Sequence, residues 1–289
     1  MISNTFGFWA PQPWNGALKG TGMGWHYTDA AGLIGMLGSA RIWATRSVAL
    51  NDSSELLYGL DVVNKIAKRL RIDGLQIGVD MGRRTLEGVH ILSASRDGNT
   101  LGQWLNYSKI DGYAVALDLG EPLVFDSDPN NLRSSAAYEL KTQWIDVIYD
   151  PAEQEAMAES VLRSLVWEPG PGRGWSVEAY VAWDSVERSV LMSLICSMKD
   201  PAFRDEREVR CITEQFYGIP LHRSSGSRII PYVALKGLER APEPQSDKYH
   251  LPIRAIRCGP GCRPGTDSII SELLEAHGYR VPVEQSAIP

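Results

Sequence analysis

Histidine, hydroxyl and paired carboxylate side chains are the groups in this sequence whose types and spacing suit chemistry. The segment His26-Tyr27-Thr28 ends a short apolar run, directly before an apolar helical pattern. A histidine and a hydroxyl at a strand-to-helix junction either hold a ligand or cap the helix, with Thr28 or Asp29 as the capping residue. The segment by itself leaves both interpretations open, and the groups that lie opposite it must decide.

Two glutamates stand at the beginning of a second apolar run. Glu206 and Glu208 are two positions apart, so a strand would place both carboxylates on one face and Arg207 on the other. Close carboxylates repel each other, which predicts a raised pKa for one of them and a proton shared between them. The alternative is that the segment is a solvent-exposed run of charged residues in which arginines pair with the glutamates. The position at the start of an apolar strand favours a site at the edge of the core.

Three further segments offer ligand-binding side chains. Trp104 and Tyr107 are three positions apart, which predicts one helical face that is either an aromatic wall for a flat ring or part of the core. The sequence NDSSE, from Asn51 to Glu55, begins a helical pattern and either caps that helix or lines a cleft. The segment 223–228, RSSGSR, offers hydroxyls and two arginines to a phosphate, although a surface loop is the preferred interpretation.

The composition narrows the functional class. The 289 residues carry a formal net charge of −6, so there is no general basic field for nucleic acid. The N-terminus lacks the pattern of a signal peptide, and no apolar run reaches the ~20 residues that span a bilayer. We therefore expect a soluble, cytoplasmic protein. The spacing of the cysteines does not match a zinc site, so we expect free thiols and no metal; they are Cys196, Cys211, Cys258 and Cys262.

The pattern of elements predicts an α+β fold, because the strands outnumber the crossover helices and do not alternate with them strictly. Residues 1–22 are rich in Pro, Gly and Trp and are predicted to form an N-terminal arm. Residues 23–289 are predicted to form a single domain with an insertion near 150–200. The predicted strands are 89–96, 113–119, 137–149, 208–213, 228–235, 253–259 and a final one near 281–286, with helices at about 29–38, from 55 and before Gly278.

The order of the motifs resembles the bacterial family known as domain of unknown function 2971. The motifs are HYT at 26–28, WAT at 43–45, NDSSE-x-x-YG at 51–59, QW-x-x-Y at 103–107, F-x-x-E-x-E-x-R at 203–210 and IRCGP at 256–260. They cover the chain from residue 24 to its end. The Trp-rich arm and the segment EPGPGRGW depart from this pattern.

A second resemblance carries a function. The segment that begins at His26 is similar to the opening of DarT-type ADP-ribosyltransferases, and EREV is similar to the Glu-x-Glu of their catalytic strand. The resemblance implies a split two-sheet α+β core with flanking helices and with NAD, as a substrate, in the cleft. It implies that His26 binds a ribose hydroxyl with support from Thr28, that Glu208 is catalytic and that Glu206 assists.

Residue type adds the remaining assignments to this resemblance. Trp104 or Tyr107 would stack on nicotinamide, and Arg46 would pair with the pyrophosphate. Asn51 and Glu55 would line the cleft beside His26, and Tyr27 would complete the nucleotide-binding segment.

The resemblance implies an NAD-dependent ADP-ribosyltransferase, a glycosyltransferase-class enzyme, that modifies a nucleic acid or protein in phage defence or toxin systems. The acidic net charge weighs against a nucleic-acid acceptor. Two alternatives remain open: a catalytically silent nucleotide-binding or antitoxin-like interaction protein on the same fold, and an NAD glycohydrolase. None of these requires a membrane.

Overall fold

The structure, a computed structural model, describes residues 20–50, 55–72, 88–126, 142–165, 186–214, 220–225, 227–237 and 250–288. The strands are β1 (Met23–Thr28), β2 (Arg41–Arg46), β3 (Val89–Ser95), β4 (Tyr113–Asp118), β5 (Val124–Phe125), β6 (Gln143–Asp146), β7 (Glu208–Glu214), β8 (Leu221–Ser225), β9 (Arg228–Lys236), β10 (Ile253–Cys258) and β11 (Val283–Gln285). The helices are α1 (Ala30–Ser39), α2 (Glu55–Arg69), α3 (Leu101–Gln103), α4 (Pro151–Leu165), α5 (Val186–Cys196) and α6 (Thr266–Ala276).

The strands form a single eleven-stranded sheet within the described residues, and its pairs are antiparallel except for β10 with β11. The order along the main path is β11-β10-β4-β1-β3-β2-β9-β5, with β7 on β3, β6 on β7 and β8 on β9. This mixed, mostly antiparallel architecture confirms the predicted α+β class. The predicted strands near 89, 113, 208, 228, 253 and 283 are all present.

The sheet forks at β3. One edge of β3 pairs with β7 along its whole length, from Val89 to Ser95. The other edge is shared: β2 pairs with it at Ile91 and the preceding residue, whereas β1 pairs with it only at Ser95. Residues 92–94 lie between these two contacts, and on that edge no described strand pairs with them. We call this gap between β1 and β2 the fork.

Helices cover both faces of the sheet, because successive residues of a strand point to opposite faces. Ile91 belongs to a core that α2, α4 and α5 pack against, and the next residue, Leu92, belongs to a second core beneath α1 and α6. Residues of the predicted insertion thus build the first core. Both faces of β3 are buried, and this fixes the position of the strand from which β1 and β2 diverge.

Local chemistry explains the start of α1. Asp29 has extended backbone, and its carboxylate accepts a hydrogen bond from Gly32 N at 2.9 Å. Asp29 is therefore the capping residue that the sequence left undecided between Thr28 and Asp29. Because Asp29 satisfies the helix terminus, His26, three residues earlier on β1, is not used as a cap.

Two local predictions were wrong. Glu206 is the last residue of a 3₁₀ helix (Pro201–Glu206), and Arg207 follows with a φ of 45°, so β7 begins only at Glu208. Alternation along a strand therefore does not relate the two glutamates. The segment 223–228 contributes to the β8–β9 hairpin, where the sequence favoured a surface loop, because its residues pair across the turn from Ser225 to Arg228.

Candidate functional site

Ser93 lies in the middle of the fork and is contacted from both sides. The His26 Nδ1 atom lies 2.9 Å from the Ser93 carbonyl oxygen. β1 has already diverged from β3 at this point, since Trp25 opposite Ser95 is their only registered pair. The imidazole therefore occupies the place where the next strand-to-strand hydrogen bond would form, and it satisfies a carbonyl that the divergence leaves open.

The contact with Ser93 fixes the tautomer of His26. A carbonyl only accepts, so the Nδ1 atom carries the proton in this hydrogen bond. Burial lowers the pKa of His26 below 6.5; the Ser93 carbonyl opposes this shift and the nearby charge of Arg223 adds to it. The ring is consequently neutral near pH 7. Its Nε2 atom keeps a lone pair and has no hydrogen-bond partner among the described residues.

The opposite side of the fork carries a threonine and an arginine. Thr45 on β2 pairs with Ile91, two positions before Ser93 on β3. The Arg223 Nη2 atom donates to the Thr45 Oγ1 atom at 3.2 Å, and the guanidinium lies 5.6 Å from the centre of the Trp43 ring. His26 and Arg223 thus approach the fork from its two arms.

Glu208 also lies close to Ser93, since it is two positions from Arg210, the residue opposite Ser93 on β7. Its carboxylate accepts two hydrogen bonds from Arg210, from Nε and from Nη2, both at 2.8 Å. Lys199 Nζ adds a third contact at 3.2 Å and also pairs with Glu206. The two predicted glutamates are close together because both bind the buried Lys199. With Arg210 they form a cluster of two negative and two positive charges.

Glu208 is not a carboxyl of raised pKa. Burial acts to raise the pKa of Glu208, but the charge and hydrogen bonds of Arg210, together with Lys199 and Ser93, hold it at about 2. Repulsion between two carboxylates would raise one pKa, whereas here two cations lie between and beside them. Glu208 is therefore a permanent carboxylate that stabilises positive charge and does not take up protons near neutral pH.

Strand alternation relates the side chains at the fork. Directly opposed residues share a face, so Trp25, Ser95 and Glu208 lie on one face of the sheet. Alternation directs the Cβ atom of His26 towards the other face of the sheet. Its ring nevertheless reaches the backbone of β3, at the Ser93 carbonyl. His26 therefore bonds to the Ser93 carbonyl on one edge of β3, whereas Glu208 lies on the other edge and on the opposite face of the sheet.

Tyr27 and Thr28, the other members of the predicted segment, make contacts within the protein. Tyr27 donates its hydroxyl hydrogen to the Asp97 carbonyl at 2.8 Å, and its ring meets Trp104 edge-on at 4.7 Å. Burial raises the pKa of Tyr27 to about 12. Thr28 is buried beneath α1, where a Cβ atom on Gly32 would lie 2.0 Å from its hydroxyl oxygen.

The predicted aromatic wall is not formed. Trp104 is fully buried, whereas 43% of Tyr107 is exposed. Residues Trp104–Ser108 form a π-helical turn, and its wider spacing no longer places residues three apart on one face. Trp104 therefore belongs to the core, as the alternative interpretation held.

The remaining predicted residues lie at the far end of the fork or outside the described residues. Arg46 is opposite His90 at the end of β2, three positions before Ser93 on β3 and away from the divergence of β1. Glu55 begins α2, which confirms a helix start at NDSSE. Asn51 lies outside the described residues.

Sequence reasoning missed Ser93, Lys199 and Arg210 as parts of the site. Arg210 had a signal, because an arginine two positions after Glu208 on a strand lies on the same face and within reach of its carboxylate. Lys199 and Ser93 carry no sequence signal of this kind, because they are brought to Glu208 by helix packing and by strand pairing.

Among the described residues, no group of three or more His, Cys, Asp or Glu side chains is arranged to hold a metal ion. No helix in the described ranges is long and apolar enough to cross a membrane. Comparisons with known protein families, with curated proteins and with solved structures found no match to this chain.

Proposed function

We propose that this chain is an NAD-dependent ADP-ribosyltransferase that holds NAD at the fork. The observation that supports the proposal is that His26 bonds to the Ser93 carbonyl where the sheet divides, while Glu208 lies across β3 on β7. The resemblance implies NAD in a cleft of the sheet, and the fork supports such a cleft. The finer description of the fold as a split two-sheet core belongs to the same proposal.

The chemistry assigns a role to each group. The Nε2 lone pair of His26 accepts a hydrogen bond from a ribose hydroxyl, while its Nδ1 proton remains on Ser93. The nicotinamide–ribose bond breaks with both electrons leaving on nicotinamide, and positive charge develops on the ribose. The Glu208 carboxylate stabilises that charge. The acceptor then forms the new bond to the ribose and releases its proton to solvent, since Glu208 with a pKa of about 2 is a poor base.

One observation favours the second candidate, a catalytically silent nucleotide-binding protein. Arg210 occupies both carboxylate oxygens of Glu208, whose side chain is only 8% exposed. A carboxylate that is fully engaged in an internal ion pair stabilises a passing charge less than one that faces the substrate. This candidate predicts that the chain binds NAD and does not cleave it.

The test is turnover of NAD that carries a label on its adenylate part. Nicotinamide release is measured by chromatography, and the label is followed into protein and nucleic-acid fractions of a bacterial extract. We expect release together with transfer to a macromolecule. Release without transfer would contradict the transferase and identify an NAD glycohydrolase, and binding without release would identify the silent protein.

The matched pair Glu208→Gln and Arg210→Gln separates catalysis from stability. Both variants break the same buried ion pair, but only Arg210→Gln keeps the carboxylate. Per folded molecule, we expect Glu208→Gln to lose about 100-fold or more of the turnover, and Arg210→Gln to stay within about 10-fold. Equal losses in both variants would contradict a catalytic role of Glu208.

A further inference from the structure

Among the described residues, Arg223 is a half-buried cation that forms few hydrogen bonds with the protein. Its Nη2 atom donates to Thr45 at 3.2 Å. Its Nε atom is buried and has no hydrogen-bond partner among the described residues. A buried donor left without a partner is costly, and native structures rarely retain one without a functional reason.

The charge of Arg223 is equally uncompensated. Burial lowers the pKa of Arg223, and the groups that oppose this shift, Tyr232 and Asp29, act only through their charge. The Asp29 carboxylate already accepts a hydrogen bond from Gly32 N at the start of α1. In contrast, Arg210, which is more deeply buried, forms a bidentate pair with a glutamate. With respect to the part of the chain that the structure describes, Arg223 therefore has a free donor and an unpaired positive charge at the same place.

Several contacts hold the guanidinium in position. Thr45 binds one end of it, and its centre lies 5.6 Å from the Trp43 ring. Trp43 in turn packs against Tyr232 at 5.1 Å between ring centres. Arginine stacked on an aromatic ring is preorganised and presents a planar set of donors that matches phosphate oxygens. The residue is thus held in place before any ligand arrives.

The position of Arg223 relative to His26 indicates what kind of ligand would use it. Thr45 is opposite Ile91, and His26 contacts Ser93, so the two anchor points are two residues apart along β3, about 7 Å at the usual rise of a strand. One arm of the fork offers the His26 Nε2 acceptor, which suits a sugar hydroxyl. The other arm offers cationic donors, which suit an anion.

We infer that Arg223 is an anion-binding residue that takes the diphosphate of a nucleotide whose ribose lies at His26. The inference rests on the proposed function for the identity of the nucleotide, and it replaces Arg46 as the pyrophosphate partner. A diphosphate supplies acceptors for the buried Nε atom and negative charge for the guanidinium, so one ligand satisfies both deficits. The same chemistry suits free pyrophosphate, which makes it a direct probe.

The experiment measures binding of inorganic pyrophosphate, ADP and adenosine by isothermal titration calorimetry to the full chain and to two variants. Arg223→Gln removes the proposed ligand. Arg228→Gln is the matched control, because Arg228 lies on the same hairpin and its exposed guanidinium donates to the Ala49 carbonyl at 3.1 Å. Both variants remove one positive charge from the same region.

We expect Arg223→Gln to weaken binding of pyrophosphate and ADP by about 10- to 100-fold, the usual effect of losing a charge-assisted hydrogen bond. Arg228→Gln should change it less than about 3-fold, because an exposed charge is screened by solvent. Adenosine, which lacks phosphate, should bind equally to all three proteins. Equal weakening by both variants, or adenosine binding as tightly as ADP, would overturn the inference.

The outcome is distinguishable from that of the proposed function. If pyrophosphate binding depends on Arg223 while NAD is never cleaved, the anion site stands and the transferase fails. If NAD is cleaved and Arg223→Gln leaves both its turnover and its KM unchanged, the transferase stands and the anion site fails.

Discussion

The two edges of β3 carry two groups of charged side chains that differ in how far the protein satisfies them. On the edge paired with β7, Glu208, Arg210, Lys199 and Glu206 form a neutral cluster in which each charge has an opposite charge in contact. On the forked edge, His26 has a vacant acceptor and Arg223 a buried donor with no partner among the described residues.

This difference separates stabilising polar groups from groups that await a ligand. Charges that satisfy each other in the interior hold the surrounding elements together, and removing one of them leaves its partner uncompensated. Polar groups that the protein leaves unsatisfied cost stability and are retained where a ligand completes them. The comparison predicts opposite responses to substitution on the two edges of one strand.

The largest expected effect is at Arg210. Arg210→Gln removes both hydrogen bonds to Glu208 and the bond from Nη1 to the Cys196 carbonyl, so a buried carboxylate loses its main partner. We expect the free energy of unfolding to fall by about 3–5 kcal/mol in urea titrations. The control Arg204→Gln, at an exposed position, should change it by less than about 0.5 kcal/mol. Equal effects would remove the basis of the comparison.

A second, smaller effect is the dependence of stability on pH through His90. This residue lies on β3 and is buried, with 2% exposure. Burial lowers its pKa from 6.5 to about 4, against the opposing effect of its bond to the Gly88 carbonyl. Below pH 6.5 the unfolded chain binds a proton that the folded protein does not, so stability is present above pH 6.5 and is lost towards pH 4. The loss amounts to roughly 3 kcal/mol.

The measurement is the pH dependence of the free energy of unfolding for the wild type, His90→Gln and His222→Gln. We expect a shallower slope between pH 6.5 and pH 4 in His90→Gln, because the titrating group is gone. His222 is exposed, so its variant should keep the slope of the wild type. An unchanged slope in His90→Gln would show that this imidazole is protonated in the folded protein.

The smallest effect, and one of opposite sign, is expected at Arg223. Arg223→Gln removes a partly buried charge that forms one hydrogen bond with a described residue, to Thr45. We expect the free energy of unfolding to rise, by less than about 1 kcal/mol, in a buffer without phosphate. A loss of more than about 1 kcal/mol would place Arg223 with the stabilising cluster and end the contrast between the two edges.

The chain's periodicities account for much of the fold. Alternating and continuous apolar runs predicted β3, β4, β7, β9 and β10 close to their observed bounds. These runs are long enough to be read locally because both faces of their strands are buried. The two-residue β5 and the exposed β8 have no such signal, since their pairing with β9 comes from the tertiary arrangement.

The candidate site was predicted in its residue types and not in its chemistry. His26 and Glu208 were selected from the sequence; His26 bonds to the Ser93 carbonyl on one edge of β3, and Glu208 lies on β7 along the other edge. The sequence did not indicate which glutamate is ionised, because a pKa depends on which charges surround the group in space, and Lys199 lies outside any strand pattern. Trp104 and Tyr107 were assigned to one face because the sequence gives no warning of a π-helical turn.

The sequence by itself determined where most strands and helices form, because hydrophobic periodicity and capping are properties of neighbouring residues. It also selected His26 and Glu208 as candidates for chemistry. Only the tertiary structure decided which of those side chains are satisfied. β1 and β2 part along β3, and this leaves His26 and Arg223 facing a gap, while pairing with β7 and packing of α5 place Arg210 and Lys199 on Glu208. Hydrogen bonds and charges act over a few ångströms in space, and the distance between two side chains that are 197 positions apart, such as His26 and Arg223, is set by the fold alone.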